Sequence, residues 1–142
     1  MSQSNTNELL NRLLTILYRS FPMYLKDAQP WSNGSSNSST ETLDHIVRDQ
    51  QTLGDRIAGT ILDSGGEPHL GDFPLQYADW NDLSLPFTIK IALNYQQQDI
   101  QAIEQCLRDL QLAPAAKALG EEVLGLAKGH LESLEELVEQ PA

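Results

Sequence analysis

Four stretches of this chain repeat their apolar residues at spacings of three and four, and that period constrains the fold more than any other feature. Leu10, Leu13, Leu17, Phe21 and Tyr24 line one face of a first predicted helix over about 6–28. Asn5-Thr6-Asn7-Glu8 has the form of a capping box at its start. Pro22 lies inside it and predicts a kink or a break, because its nitrogen carries no hydrogen for the Tyr18 carbonyl. A second helix, over about 40–63, buries Leu43, Ile46, Gln50, Leu53, Ile57 and Ile61, with Ser38 and Glu41 placed as its capping box. A third begins near Pro86 and continues to about 111 through Ile89, Leu93, Ile100, Ile103, Leu107 and Leu110, with Gln96 as the polar exception on its seam. A fourth, over about 114–139, turns Leu119, Val123, Leu126, His130, Leu134 and Leu137 inward.

The connections complete the pattern. Residues 29–39 are small and polar and read as a flexible loop, while Gly65-Gly66 ends the second helix. Residues 64–85 have no sustained period and are long enough to cross the bundle; Phe73, Tyr77 and Trp80 on this connection read as pins that hold it down, as does Trp31 in the earlier loop. The short break at Leu112-Ala113-Pro114 makes the last two helices antiparallel neighbours. Strand signals are absent. The expectation is an all-α four-helix bundle in one domain spanning 1–142, with a long crossover between helices two and three.

Composition narrows the partners. With 40% hydrophobic residues, a chain of 142 can bury a core without staples, and its single Cys106 cannot form an internal disulfide. Beside Leu107, with Arg108 as its one basic neighbour, that thiol is expected to be inert and half-buried. Twenty acidic against nine basic residues leave a net charge of −11, which repels phosphate backbones and anionic lipid surfaces. The first eight residues lack the basic start and apolar core of a signal peptide, and no apolar run approaches the ~20 residues of a membrane span. These features predict a cytoplasmic protein that binds neither nucleic acid nor membrane.

Three strings resemble a known family. Leu10-Asn11-Arg12-Leu13-Leu14 resembles the opening of a bacterioferritin-type first helix, and the segment from Ile61 to Asp72 resembles the exit of its second helix into the crossover. Gly129-His130-Leu131-Glu132-Ser133-Leu134-Glu135 resembles the histidine half of the fourth-helix motif, so the chain is similar to the ferritin-like superfamily across its length. That resemblance implies a di-metal site with one Glu each from helices one and three and a Glu-x-x-His from each of the other two. The ligand positions then fall at Leu17, at Gln50 and Leu53, near Asn94, and at Ala127 and His130. Lys90 through Gln98 contains no carboxylate, so only His130 survives in kind. Two divalent ions bring four positive charges that these side chains neither neutralise nor coordinate. The resemblance therefore implies a degenerate bundle with no metal or other cofactor, in which Gln50 and Asn94 or Gln96 join His130 in a hydrogen-bonded polar core.

His45 and Asp49, with Glu41 one turn earlier, share a helical face that flanks the buried stripe and reads as solvated. His69, beside Asp72 in the crossover, is a possible neighbour of that face. Glu121-Glu122 and Glu135-Glu136 read as solvated surface, and Gly125 and Gly129 as sites of close helix packing. No phosphate loop or nucleophile elbow is present. The favoured function is non-catalytic, acting through a protein partner or a homodimer, since Leu9, Leu10, Leu13, Leu14, Ile16, Leu17 and Leu25 exceed what one stripe uses. The alternatives are a metal-binding protein or oxidase with a site relocated to His45, Asp49 and His130, and a small-molecule binder whose interior pocket is lined by Tyr18, Tyr24, Tyr95 and His130.

Overall fold

The computed structural model describes residues 2–28, 38–81 and 83–139. Five α-helices form the bundle: α1 (Gln3–Tyr18), α2 (Phe21–Ala28), α3 (Ser38–Asp63), α4 (Leu85–Asp109) and α5 (Pro114–Glu139), with a 3-10 segment at Leu75–Trp80 on the crossover. The first predicted helix is thus two. Ser20 ends the continuity: its Oγ accepts the Met23 N–H at 3.3 Å, an N-cap for α2, and Pro22 falls in the first turn, where a missing N–H breaks no helical bond. At the chain start the cap is Ser2, whose Oγ accepts the Asn5 N–H; Thr6 lies inside the helix and turns its hydroxyl back to the Ser2 carbonyl. Ser38 is likewise helical instead of preceding α3. Ser84 stands as N-cap of α4, with Pro86 in its first turn. Most of the 29–39 loop, including Trp31, lies outside the described residues.

Cross-helix contacts set the directions. Asn7 meets Ser64 and Tyr18 meets Asp55, so α1 and α3 run antiparallel; Asp49 meets His130 and Arg56 meets Glu122, so α3 and α5 do too. The tight turn at Leu110–Ala113 reverses α4 into α5. It follows that α3 and α4 are parallel, which is why a long crossover must climb the whole bundle between them. It climbs along α1: Asn11 donates to the Glu67 carbonyl, Thr15 to that of His69, and Arg19 to that of Gly71. Each step advances two residues of extended chain, about 6.6 Å, against four residues of helix, about 6 Å, so the hydrogen bonds stay in register. Gly71 has φ 74 and a Cβ there would sit 3.1 Å from the Thr15 methyl, so the turn and the close approach both require glycine.

The core divides into two apolar clusters. One gathers Leu10, Leu13, Leu14, Leu17, Ile57, Ile61, Ile103, Leu110 and Val123; the other gathers Phe21, Leu25, Leu43, Ile46, Tyr77, Ile89 and Leu134. The aliphatic excess of α1 is consumed inside the first cluster, and of that helix's large apolar residues only Ile16 reaches an outer groove. Ser20, Gln50, Gln96 and His130 are buried polar residues. They belong to neither cluster.

Glycine placement differs from expectation for a steric reason. Gly125 and Gly129 face open space; the close contacts are at Gly54, where a Cβ would stand 2.4 Å from the Tyr18 ring, at Gly66, 2.4 Å from the Asn7 amide, and at Gly120, 2.8 Å from Leu107. Gly125→Ala and Gly129→Ala are each expected to raise unfolding free energy by about 0.5–1 kcal/mol in urea titrations, the ordinary helix-propensity gain. Gly54→Ala should lower it, because the tyrosine ring it meets is tied to Asp55, the next residue in the chain.

Candidate functional site

The polar layer is assembled from all sides of the bundle. Ser20 Oγ donates to Gln50 Oε1 at 2.7 Å, and Gln96 Nε2 donates to the Ala127 carbonyl at 2.9 Å, tying α4 to the middle of α5. His130 Nε2 donates to Asp49 Oδ2 at 2.8 Å, and the same oxygen lies 3.3 Å from His45 Nε2. His130, Asp49 and His45 therefore do converge, on one carboxylate oxygen, in order of rising exposure: their side chains are 5%, 28% and 72% accessible. Burial lowers the His130 pKa and outweighs the opposing hydrogen bond and charge of Asp49. A neutral His130 has one N–H, and Asp49 holds it on Nε2.

The other members of the expected cluster separate. Asn94 is exposed on the outer face of α4, and Gln96, two residues on, takes the inward position. Gln50 and His130 share a wall with Gln96 around a cavity of about 10 Å³, bounded by Ile16, Leu17, Ile103, Leu126 and Ala127. That space is about one water molecule in size. A carboxylate not expected from the sequence, Asp99, stands on this wall, one residue past the acid-free stretch Lys90–Gln98. Burial pushes its pKa from 3.8 up to about 7. Its spacing was informative: Asp99 follows Gln96 by three and precedes Ile103 by four, which places it on the seam.

The three tyrosines do not frame a pocket with His130. Tyr18 donates to Asp55, and burial, reinforced by that bond, lifts its phenol pKa to about 12. Tyr24 donates to Asn81 at 2.6 Å, and the Tyr95 hydroxyl accepts from Trp80 Nε1 at 3.1 Å. The Tyr24 and Tyr95 rings join Phe21, Phe73 and Tyr77 in one aromatic cluster of mostly edge-to-face contacts, with Trp80 packed against it, so Trp80, Tyr77 and Phe73 do pin the crossover. His69 stays on the α1 side, where its N–H reaches Asn11 Oδ1. It lines an outer groove of about 520 Å³ with Arg12, Thr15, Ile16, Ala102 and Cys106. Burial raises the Cys106 thiol pKa despite the nearby Arg12, which keeps the thiol protonated and inert.

A bacterioferritin of Rhodobacter capsulatus, described with a metal-free dinuclear site and a haem iron, superposes on this chain with a TM-score of 0.65. The match covers 96% of this chain and 82% of that one at 15% identity. The fold is ferritin-like. No protein-family model matches the sequence, and no curated protein matches it. Within this ferritin-like bundle, the positions that the family resemblance assigns to ligands are held by Leu17, Leu53 and Ala127, all buried, and by the hydrogen-bonded Gln50. Among the described residues, no group of three or more His, Cys, Asp or Glu side chains is arranged to hold a metal ion. His45, Asp49 and His130 make instead a hydrogen-bonded bridge between α3 and α5. No helix among the described residues is long and apolar enough to cross a membrane.

Proposed function

We propose that this ferritin-like bundle acts by association, as a homodimer or with a protein partner, through the groove between α1, α4 and the crossover. The observation that carries the reading is where space remains. The polar layer leaves about 10 Å³ inside the bundle, whereas the outer groove offers about 520 Å³ with largely apolar walls. Charge favours the same face. Glu8 and Arg12 offset each other at the groove, and the exposed residues of α4 beside it include the uncharged Gln97, Gln98, Gln101 and Gln105. The exposed face of α5 carries Glu121, Glu122, Glu132, Glu135 and Glu136. Two chains of net charge −11 repel least when they meet through the neutral face.

Sedimentation velocity at about 1 to 100 µM, which spans interface free energies of roughly 5–8 kcal/mol, tests the homodimer. Ala102→Arg, an exposed position in the groove, is expected to weaken the dimer by about tenfold or more while leaving the melting temperature of the dilute, monomeric protein unchanged. A chain that stays monomeric throughout removes the homodimer. Stoichiometric Fe(II) retained through gel filtration would overturn the whole reading.

A further inference from the structure

We propose that the cavity between Gln50, Gln96 and His130 is a binding site for one water molecule, which joins three separate hydrogen-bonded pairs of the polar layer into a single network across the bundle. The donors and acceptors around this cavity do not balance without it. Ser20 occupies Oε1 of Gln50, so the Gln50 amide keeps its N–H donors. Gln96 Nε2 gives a hydrogen to the Ala127 carbonyl, and its Oε1 has no partner among the described residues. His130 donates from Nε2 to Asp49, which leaves Nδ1 of the neutral ring as an acceptor without a donor. All three residues line the cavity of about 10 Å³, and all three are more than nine-tenths buried, with 4%, 3% and 4% of their surface accessible. Each unpartnered atom still keeps surface that a water can touch, since no fully enclosed side-chain nitrogen or oxygen among the described residues lacks a partner.

A cavity holds water when it is polar, has about 10–15 Å³ of room and offers two to four partners. This one meets each condition. A Gln50 N–H donates to the water oxygen, and the two water hydrogens go to His130 Nδ1 and Gln96 Oε1. Asp99 shares the wall, has no hydrogen bond or ion pair among the described residues, and offers a fourth partner at the rim. The remaining walls, Ile16, Leu17, Ile103 and Leu126, are apolar and compete for none of these bonds. A cation is the wrong occupant, because the Gln50 oxygen is already held by Ser20 and the space meets an N–H donor in its place. With the water bound, Ser20 at the α1–α2 break is joined through Gln50 to His130, and from there to Asp49 and the exposed His45. Gln96 brings α4 into the same network, so one molecule links all the long helices at the level where the two apolar clusters part.

A high-resolution crystal structure of the full chain tests the site directly. One solvent peak is expected at about 2.7–3.2 Å from His130 Nδ1 and from at least one of Gln50 Nε2 and Gln96 Oε1. Ala127→Val narrows the cavity from a side chain that lines it and leaves the main-chain carbonyl that Gln96 needs, so the peak should disappear in that variant. In solution, oxygen-17 relaxation dispersion of the parent should exceed that of Ala127→Val by about one long-lived water. The parent crystal decides the matter whether or not the variant folds. An empty cavity overturns the proposal, as does a Gln50 amide that bonds His130 directly with no solvent between them. A peak at about 2.0–2.2 Å from Nδ1 with anomalous scattering overturns it too, because the occupant is then a metal ion. Equal dispersion in the folded parent and variant has the same consequence.

Discussion

Asp99→Asn should raise the melting temperature of this protein by about 10 °C at alkaline pH and lower it by about 3 °C in acid. The carboxyl group titrates at about 7 in the folded chain against 3.8 unfolded, so the folded state holds its proton more tightly. Its contribution to stability is fully present below the unfolded value and is lost as the pH rises through the window from 3.8 to about 7. Above that window the deficit is constant. A rise of this size corresponds to about 4 kcal/mol, and a buried carboxamide takes back about 1 kcal/mol through its own imperfect hydrogen bonding, leaving about 3 kcal/mol. His130 works in the opposite sense. Its lowered pKa contributes stability that is present above 6.5 and is lost as the pH falls. The two slopes partly cancel in the parent protein, so the informative quantity is the difference between parent and Asp99→Asn in urea titrations across pH. That difference should grow steadily through the Asp99 window and then level off. A difference that does not change with pH would show that Asp99 is ionised and solvated in the native protein.

Sequence and structure agree where periodicity alone decides. The inward faces of the helices follow from three-and-four spacing, and the long crossover follows from having two helix pairs to join; both survive in the ferritin-like bundle. What periodicity could not convey is the azimuth of a residue at a seam's edge. Asn94 and Gln96 are two positions apart, about 200° around a helix, so assigning the polar role to one or the other chooses opposite faces. Asp99 escaped because an acid on a seam is conventionally read as surface, although its spacing to Gln96 and Ile103 placed it inside. Convergence of His45, Asp49 and His130 joins two helices 81 residues apart at the His130–Asp49 contact, and no local pattern encodes it. The glycines failed for a similar reason. Whether a missing Cβ matters depends on what stands opposite, and among the described glycines Gly54, Gly66 and Gly120 have side chains there within 3 Å, whereas Gly125 and Gly129 have none.

Phe21→Ala should cost about 3–5 kcal/mol of unfolding free energy, the largest single loss expected in the chain. Phe21 is wholly buried and is the first residue of α2, immediately after the break at Ser20. An eight-residue helix is too short to persist on its own hydrogen bonds, so α2 exists because its apolar face is held by tertiary contacts. Phe21 supplies much of that hold. Its ring centroid lies 5.2 Å from that of Tyr77, 5.1 Å from Tyr95 and 6.3 Å from Tyr24, so one side chain joins α2 to the crossover and to α4. Truncation removes the ring's transfer free energy, leaves a cavity and breaks aromatic pairs worth about 0.5–1.5 kcal/mol each. The damage should also be local in kind. Amide exchange is expected to speed up in α2 and in residues 75–80 well before it does in the α1–α3 pair, whose aliphatic cluster does not include Phe21. Trp80→Ala is the natural contrast, because that indole is only partly buried and joins the cluster through a 3.1 Å hydrogen bond to Tyr95 and apolar packing at the cluster's margin. It should destabilise by about 1–2 kcal/mol and leave α2 protected. If Phe21→Ala costs no more than Trp80→Ala, the second cluster is not built around the phenylalanine, and the clamp on the crossover must reside in Tyr77 and Tyr95 alone.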